Sequence, residues 1–80
     1  MKPFIGQIDL FPYDFAPGHW AVCDGTLLPI NDYTPLFLLL GNRFGGDSES
    51  TFALPDLRGK EPDPYVRYFI ALDGDDPQRD

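Results

Sequence analysis

The chain has 80 residues, of which 42% are hydrophobic and 15% aromatic, and its formal net charge is −7. Its hydrophobic content is too high for a disordered chain, and its length allows one small domain. The acidic balance is the opposite of what phosphate neutralisation needs, so we expect no nucleic-acid partner. Anionic membrane surfaces are disfavoured for the same reason.

The single cysteine and the longest apolar run narrow the function classes further. Cys23 alone cannot form an intrachain disulfide or a cysteine-based metal site, and its apolar neighbours predict a buried, unreactive thiol. The apolar run over residues 35–40 is far shorter than the ~20 residues of a membrane span, so we expect no membrane insertion. No signal peptide is evident at the N-terminus, and any role outside a cell would follow lysis or assembly into a particle.

The first predicted element is a strand over residues 4–11. Apolar Ile8 and Leu10 alternate there with the polar Asp9, which is typical of a strand with one wet face. Gly6 in its middle predicts a bulge or a close neighbouring backbone.

A β-hairpin is predicted over residues 19–30. Trp20 and Val22 would share one face of its first strand. The dipeptide Asp24-Gly25 tolerates the positive φ of a tight turn, so the pattern predicts that the chain reverses there.

A short helix is predicted over residues 34–40. Thr34 is a candidate N-cap, and Pro35 suits the first helical position because its missing N–H costs nothing there. Gly41 suits the left-handed position that ends a helix. The run is apolar on all sides, which predicts burial on nearly all sides.

The C-terminal part contains a loop over residues 42–50, the clearest strand over 65–72 and an acidic, frayed tail over 73–80. The two terminal strands should pair with each other, because pairing protects their edges. The sequence therefore predicts a β-rich α+β fold with one domain over residues 1–72. It would hold a small antiparallel sheet of the N-terminal strand, the hairpin and the C-terminal strand, with one short helix and long ordered loops.

Residues that could carry chemistry form no catalytic or metal-binding pattern. His19 and Cys23 would lie roughly 13 Å apart along a strand, beyond hydrogen-bond reach. Acidic residues cluster at 47–49 and 73–76, and the 73–76 cluster lacks the length and closing glutamate of a calcium loop. Residues 41–46 lack the lysine of a phosphate-binding loop. We therefore expect no catalytic residue, no cofactor and no metal.

The most informative stretch is the 51–59 segment, which supplies apolar anchors such as Phe52 and Leu54. Asp56 and Arg58 flank Leu57 and could bond each other or the neighbouring backbone. This pattern predicts an ordered structural loop pinned to the core. Its structural signature consists of Phe52, Leu54, Pro55, Asp56, Leu57, Arg58 and Gly59.

Several motifs follow one another in a defined order: FIGQI at 4–8, FAPGHWAVCDG at 15–25, LLPI at 27–30, TPLFLLLG at 34–41, FGGD at 44–47, TFALPDLRG at 51–59 and YFIAL at 68–72. Their order resembles the phage tail-collar domain family, which includes bacterial proteins known as microcystin-dependent. The resemblance covers almost the whole chain, and it implies a non-catalytic structural component of a tail fibre or collar. It also implies a virion tail or phage-derived particle made in the bacterial cytoplasm, and partners that are further copies, a trimer among the candidates, or other tail proteins.

One departure from the family lies after the 51–59 segment. Members of the family carry a long Gly-rich segment before the closing strand, whereas residues 60–64 make the connection alone here. Two prolines in these five residues predict a stiff, extended connector. The chain thus resembles a minimal member without the central region.

An alternative function is a small module that binds a ligand such as a cell-surface glycan. Trp20 and Tyr13 are the candidate stacking faces for such a ligand, since aromatic rings combine an apolar face with a polar group.

Overall fold

The computed structural model describes residues 3–13 and 15–75. These residues form a three-stranded antiparallel sheet, with strands 8–11, 67–71 and 20–22 in that order, and a separate antiparallel pair of strands 27–29 and 51–53. The predicted β-rich α+β class with one short helix is confirmed. The elements are β1 (Ile8–Phe11), β2 (Trp20–Val22), β3 (Leu27–Pro29), a 3-10 turn (Ile30–Asp32), α1 (Thr34–Leu40), β4 (Thr51–Ala53) and β5 (Arg67–Ala71).

The terminal strands pair as predicted. β1 runs antiparallel to β5, with Ile8 opposite Ile70, and β2 pairs with the other edge of β5. β5 is therefore the central strand, and Phe69, Ile70 and Ala71 are each at most 1% exposed. Because successive residues of a strand point to opposite faces, both faces of this sheet are covered at β5.

Gly6 forms the predicted bulge and shortens β1. The Gly6 amide donates to the Ala71 carbonyl at 2.9 Å, while the Ala71 amide donates to the Gln7 carbonyl at 2.9 Å. Two residues thus oppose one, which is the geometry of a β-bulge. Gly6 has φ +82°, a conformation that glycine adopts without steric cost, and the regular strand begins only at Ile8.

The hairpin predicted over residues 19–30 is wrong. β2 and β3 lie in different sheets, because the chain does not reverse at Asp24 and Gly25. The Asp24 carboxylate instead accepts from the Thr26 amide at 3.0 Å, a local Asx turn. The Gly25 amide donates to the Pro55 carbonyl at 3.3 Å. The chain therefore ends its pairing with β5 after β2 and pairs next with the 51–59 segment.

The helix has the predicted bounds but not the predicted cap. Tyr33 is the N-cap and makes no side-chain cap bond, while the Thr34 hydroxyl donates to the Ile30 carbonyl at 2.9 Å. Thr34 is therefore the first helical residue, and Pro35 the second. Gly41 ends the helix with φ +61°, in agreement with the prediction that a positive φ is needed there.

Burial of the helix on nearly all sides is also wrong. Leu36 is fully buried, whereas Leu38 is 76% exposed. Only one side of the helix packs against the sheets, because a two-turn helix at the surface of so small a domain meets protein on one side.

The main core lies between α1 and the strands. Phe37 packs its ring on that of Phe52 at a centroid separation of 5.5 Å. The main core consists of Ile5, Cys23, Leu36, Phe52, Leu54 and Ile70.

No helix in the described part of the chain is long and apolar enough to cross a membrane.

The C-terminal tail and the 60–64 connector differ from their predicted form. Asp75 in the tail predicted over 73–80 is ordered, since its carbonyl accepts from the Ile5 amide at 2.9 Å. Residues 76–80 lie outside the described residues. The division into a domain and a tail stays a prediction. The connector over 60–64 is not extended throughout. It bends at Pro62 and Asp63, where the Asp63 carboxylate accepts from the Tyr65 amide at 2.8 Å.

Candidate functional site

The 51–59 segment is held on its apolar side by the main core. Phe52 and Leu54 are 0% and 1% exposed, and Pro55 is buried with them. Leu57 is half-buried against the same core, and its amide donates to the Cys23 carbonyl at 2.9 Å. The segment pairs with residues 23–29 along one of its edges. Because residue 23 also bonds to the three-stranded sheet at Tyr68, the segment links the two sheets.

A glycine turn covers β4 from the other side. The Gly45 carbonyl accepts from the Ala53 amide at 3.1 Å. A Cβ atom on Gly46 would lie 2.5 Å from the Phe52 Cα, and Gly46 has φ +96°. Close backbone approach thus requires glycine at this position.

Asp47 organises the loop that follows. Its Oδ1 accepts from the backbone amides of Ser50 at 2.8 Å, Thr51 at 2.9 Å and Glu49 at 2.9 Å. These hydrogen bonds hold the pKa of the Asp47 carboxyl well below its usual range, because they favour the charged form. The carboxylate therefore supports the loop conformation, and in the described residues no three His, Cys, Asp or Glu side chains come together to hold a metal.

Asp56 and Arg58 form a forked ion pair at the end of the segment. Arg58 donates through Nε to Oδ1 at 2.9 Å and through Nη2 to Oδ2 at 2.8 Å, and its backbone amide donates to Oδ1 at 3.2 Å. The side-chain hydrogen bonds from Arg58 lower the pKa of Asp56 to about 2. Both side chains are largely exposed, so the pair shapes the turn and contributes little to overall stability.

Cys23 and His19 do not form a nucleophile–base pair. Cys23 is 1% exposed within the main core, and burial, with a smaller effect of the Asp24 charge, raises the pKa of its thiol to about 11. The thiolate needed for nucleophilic attack is therefore disfavoured at neutral pH. His19 is exposed at the start of β2 and has φ +66°.

An aromatic cluster covers the sheet face opposite the main core. Phe11, Tyr13 and Phe15 stack in succession, with centroids 5.6 Å apart and interplanar angles of 13° and 20°. Trp20 meets Phe11 edge-on at 5.1 Å, and Phe69 lies 5.7 Å from Phe11. We call these five residues the aromatic cluster.

Exposure within the aromatic cluster rises along the stack. Phe11 and Trp20 are half-buried, Tyr13 is 43% exposed and Phe15 is 66% exposed. Trp20 and Tyr13 were predicted from the sequence as stacking residues, whereas Phe11 and Phe15 were not. The alternate spacing of aromatic residues at 11, 13 and 15 was the signal that could have identified them. The Tyr13 ring already stacks on two others, which leaves less of its face for a ligand, and glycan stacking on Trp20 and Tyr13 stays a prediction.

Comparison with protein families identifies the family of the chain. A family model for the phage tail collar domain matches residues 6–62. The chain belongs to the phage tail collar domain family. The matched range contains the bulge, strands β1 to β4, the helix and the 51–59 segment. The family is a structural domain of phage tails, and a comparison with curated proteins gives no match.

Proposed function

We propose that this collar-family chain is a non-catalytic structural component of a phage tail fibre or collar, and that it acts through protein–protein assembly in a phage or phage-derived particle. Family membership supports the tail assignment. The partners we propose are further copies of the chain, a trimer among the candidates, or other tail proteins. Assembly would take place in the bacterial cytoplasm.

The exposed aromatic cluster is the observation that carries the assembly proposal. Tyr13 and Phe15 are 43% and 66% exposed and stack on each other at 5.6 Å. Contiguous apolar surface of this kind marks interaction sites in soluble proteins. β1 is also an edge strand of its sheet, and an unpaired strand edge is a ready template for another chain.

Light scattering coupled to size-exclusion chromatography, over a range of concentrations at about 150 mM salt, tests the proposal. Salt at this level screens the −7 charge of each copy beyond ~8 Å. We expect a defined oligomer whose mid-point concentration rises at least ~10-fold in Phe15→Ser, equivalent to about 1.4 kcal/mol.

Tyr65→Ser is the matched control. Tyr65 is 82% exposed and lies outside the aromatic cluster, so its replacement removes a similar exposed ring without touching the proposed interface. A chain that stays monomeric when concentrated would contradict self-assembly. Equal weakening by both variants would contradict the aromatic cluster as the interface.

A further inference from the structure

Two adjoining clefts lie beside the start of β2, on either side of His19. The larger has a volume of about 520 Å³ and the smaller about 280 Å³, and His19 and Asp73 line both. Tyr33 and Asp32 complete the polar and aromatic wall of the larger cleft, and Trp20 that of the smaller. The larger cleft lies within the usual size range of ligand sites, about 300–1,000 Å³.

The described residues that line these clefts bring carboxylates together without a basic side chain. Asp32 and Asp73 both line the larger cleft, and the described lining residues of both clefts include no Lys or Arg. The Asp73 Oδ1 accepts from the Gly74 amide at 2.8 Å, which orients this carboxylate at the shared wall of the two clefts. The chain as a whole carries −7, so its field favours the approach of a cation.

Aromatic rings add a second attraction for a positive group. Tyr33 and Trp20 are half-buried at the walls of the two clefts, and the face of such a ring attracts Lys or Arg when the charge lies within about 6 Å. An aromatic ring beside a carboxylate is a wall suited to an organic cation, which has both an apolar stem and a charged head.

His19 between the clefts is held in a strained conformation. Its φ of +66° is uncommon for a residue other than glycine. The Leu72 amide donates to the His19 carbonyl at 2.8 Å, and the Trp20 amide donates to the Pro17 carbonyl at 3.0 Å. Residues kept in such conformations by their surroundings cluster at binding sites.

We infer that the two clefts receive lysine or arginine side chains from a basic segment of a partner protein. The inference rests on the proposed assembly function and names the chemistry of one partner. A second copy is a poor occupant, because each copy carries −7 and two copies repel each other. A different protein with a basic segment would meet the carboxylates with opposite charge.

Fluorescence anisotropy with two labelled peptides tests the inference. The probe is Gly-Lys-Gly-Arg-Gly-Lys, and the comparison peptide replaces its basic residues with acetyl-lysine and citrulline. We expect binding of the basic peptide only, and at least a ~10-fold loss in the double variant Asp32→Asn, Asp73→Asn. Trp20→Leu should weaken binding several-fold, because it removes a ring from the smaller cleft.

The matched control removes the same charge elsewhere. Glu49→Gln with Asp63→Asn changes the net charge by the same two units, from −7 to −5, and asparagine keeps the acceptor that Asp63 offers to the Tyr65 amide. Equal losses in the two double variants would overturn the inference, since only net charge would then matter. Binding of the neutral peptide, or of neutral glycans in place of the basic peptide, would also overturn it.

Failure of this inference is separable from failure of the proposed function. Self-association of the wild-type chain without peptide binding would overturn the basic partner and leave assembly standing. Peptide binding by a chain that stays monomeric would support the clefts and contradict self-assembly. Thermal unfolding of both double variants checks that each retains the fold.

Discussion

The two faces of the three-stranded sheet have opposite character. On one face Ile70 packs into the main core, where every member is at most 5% exposed. On the other face Phe69 is the buried member of the aromatic cluster, whose outermost ring, Phe15, is 66% exposed. Adjacent residues of one strand thus contact a closed apolar core and an open aromatic surface, because strand side chains alternate between faces.

This difference separates stability from interaction. The main core combines the helix, both sheets and the 51–59 segment, so removal of its side chains opens cavities. The aromatic cluster leaves much of its apolar area in water, so it contributes less to folding and is free to contact a partner. The predictions below measure that separation, from the largest expected effect to the smallest.

Phe52→Ala should destabilise the fold by about 3–5 kcal/mol, because Phe52 is fully buried in the main core. Phe15→Ala, in the aromatic cluster, should change stability by less than about 0.5 kcal/mol. Urea unfolding of the two variants and the wild type provides the measurement. Similar losses would show that the aromatic cluster is as essential to folding as the main core.

Gly46→Ala should cost more than Gly59→Ala by about 1–3 kcal/mol, which is the usual cost of overpacking. Both glycines have positive φ, so both variants share the backbone strain. The new Cβ at Gly46 would meet backbone, 2.5 Å from the Phe52 Cα, whereas a Cβ at Gly59 would have no described neighbour within 4 Å. Equal destabilisation in chemical unfolding would mean that the loop can move away from β4.

Stability should fall by a small amount at acid pH as Asp56 becomes protonated, because its ion pair with Arg58 is exposed and contributes little. The pKa of this carboxyl is about 2 in the folded chain, against about 3.9 in an unfolded one. A lowered folded pKa gives a stabilising contribution that is present above pH ~4 and is lost as the pH falls toward 2. Thermal unfolding from pH 5 to 2 should show a smaller acid-dependent decrease in Asp56→Asn than in the wild type; an unchanged decrease would contradict this role.

Asp47→Ala should lower the melting temperature, and Asp47→Asn should lower it less. Alanine leaves the amides of Glu49, Ser50 and Thr51 without the oxygen that accepts from them, whereas asparagine retains a neutral acceptor. Thermal unfolding monitored by circular dichroism measures both. Equal losses in the two variants would show that the charge on Asp47, not its acceptor geometry, shapes the loop.

Local patterns predicted several elements because the responsible residues act over short distances. The helix bounds follow from the apolar run before Gly41, and the bulge follows from Gly6. The cap at Thr34 was predicted wrongly, since an exposed hydroxyl can donate to the preceding turn as readily as it accepts. At the candidate site, the spacing of Phe11, Tyr13 and Phe15 was visible in the sequence, but their stacking was not.

By itself, the sequence determined a β-rich α+β domain with paired terminal strands, a two-turn helix and a buried Phe52 within the 51–59 segment. These features depend on alternation, on glycine and on apolar runs, which are local properties. Only the tertiary structure decided that Asp24 and Gly25 carry the chain between two sheets. A turn dipeptide specifies a bend, but the long-range pairing of Gly25 with Pro55 decides which strand the bend leads to.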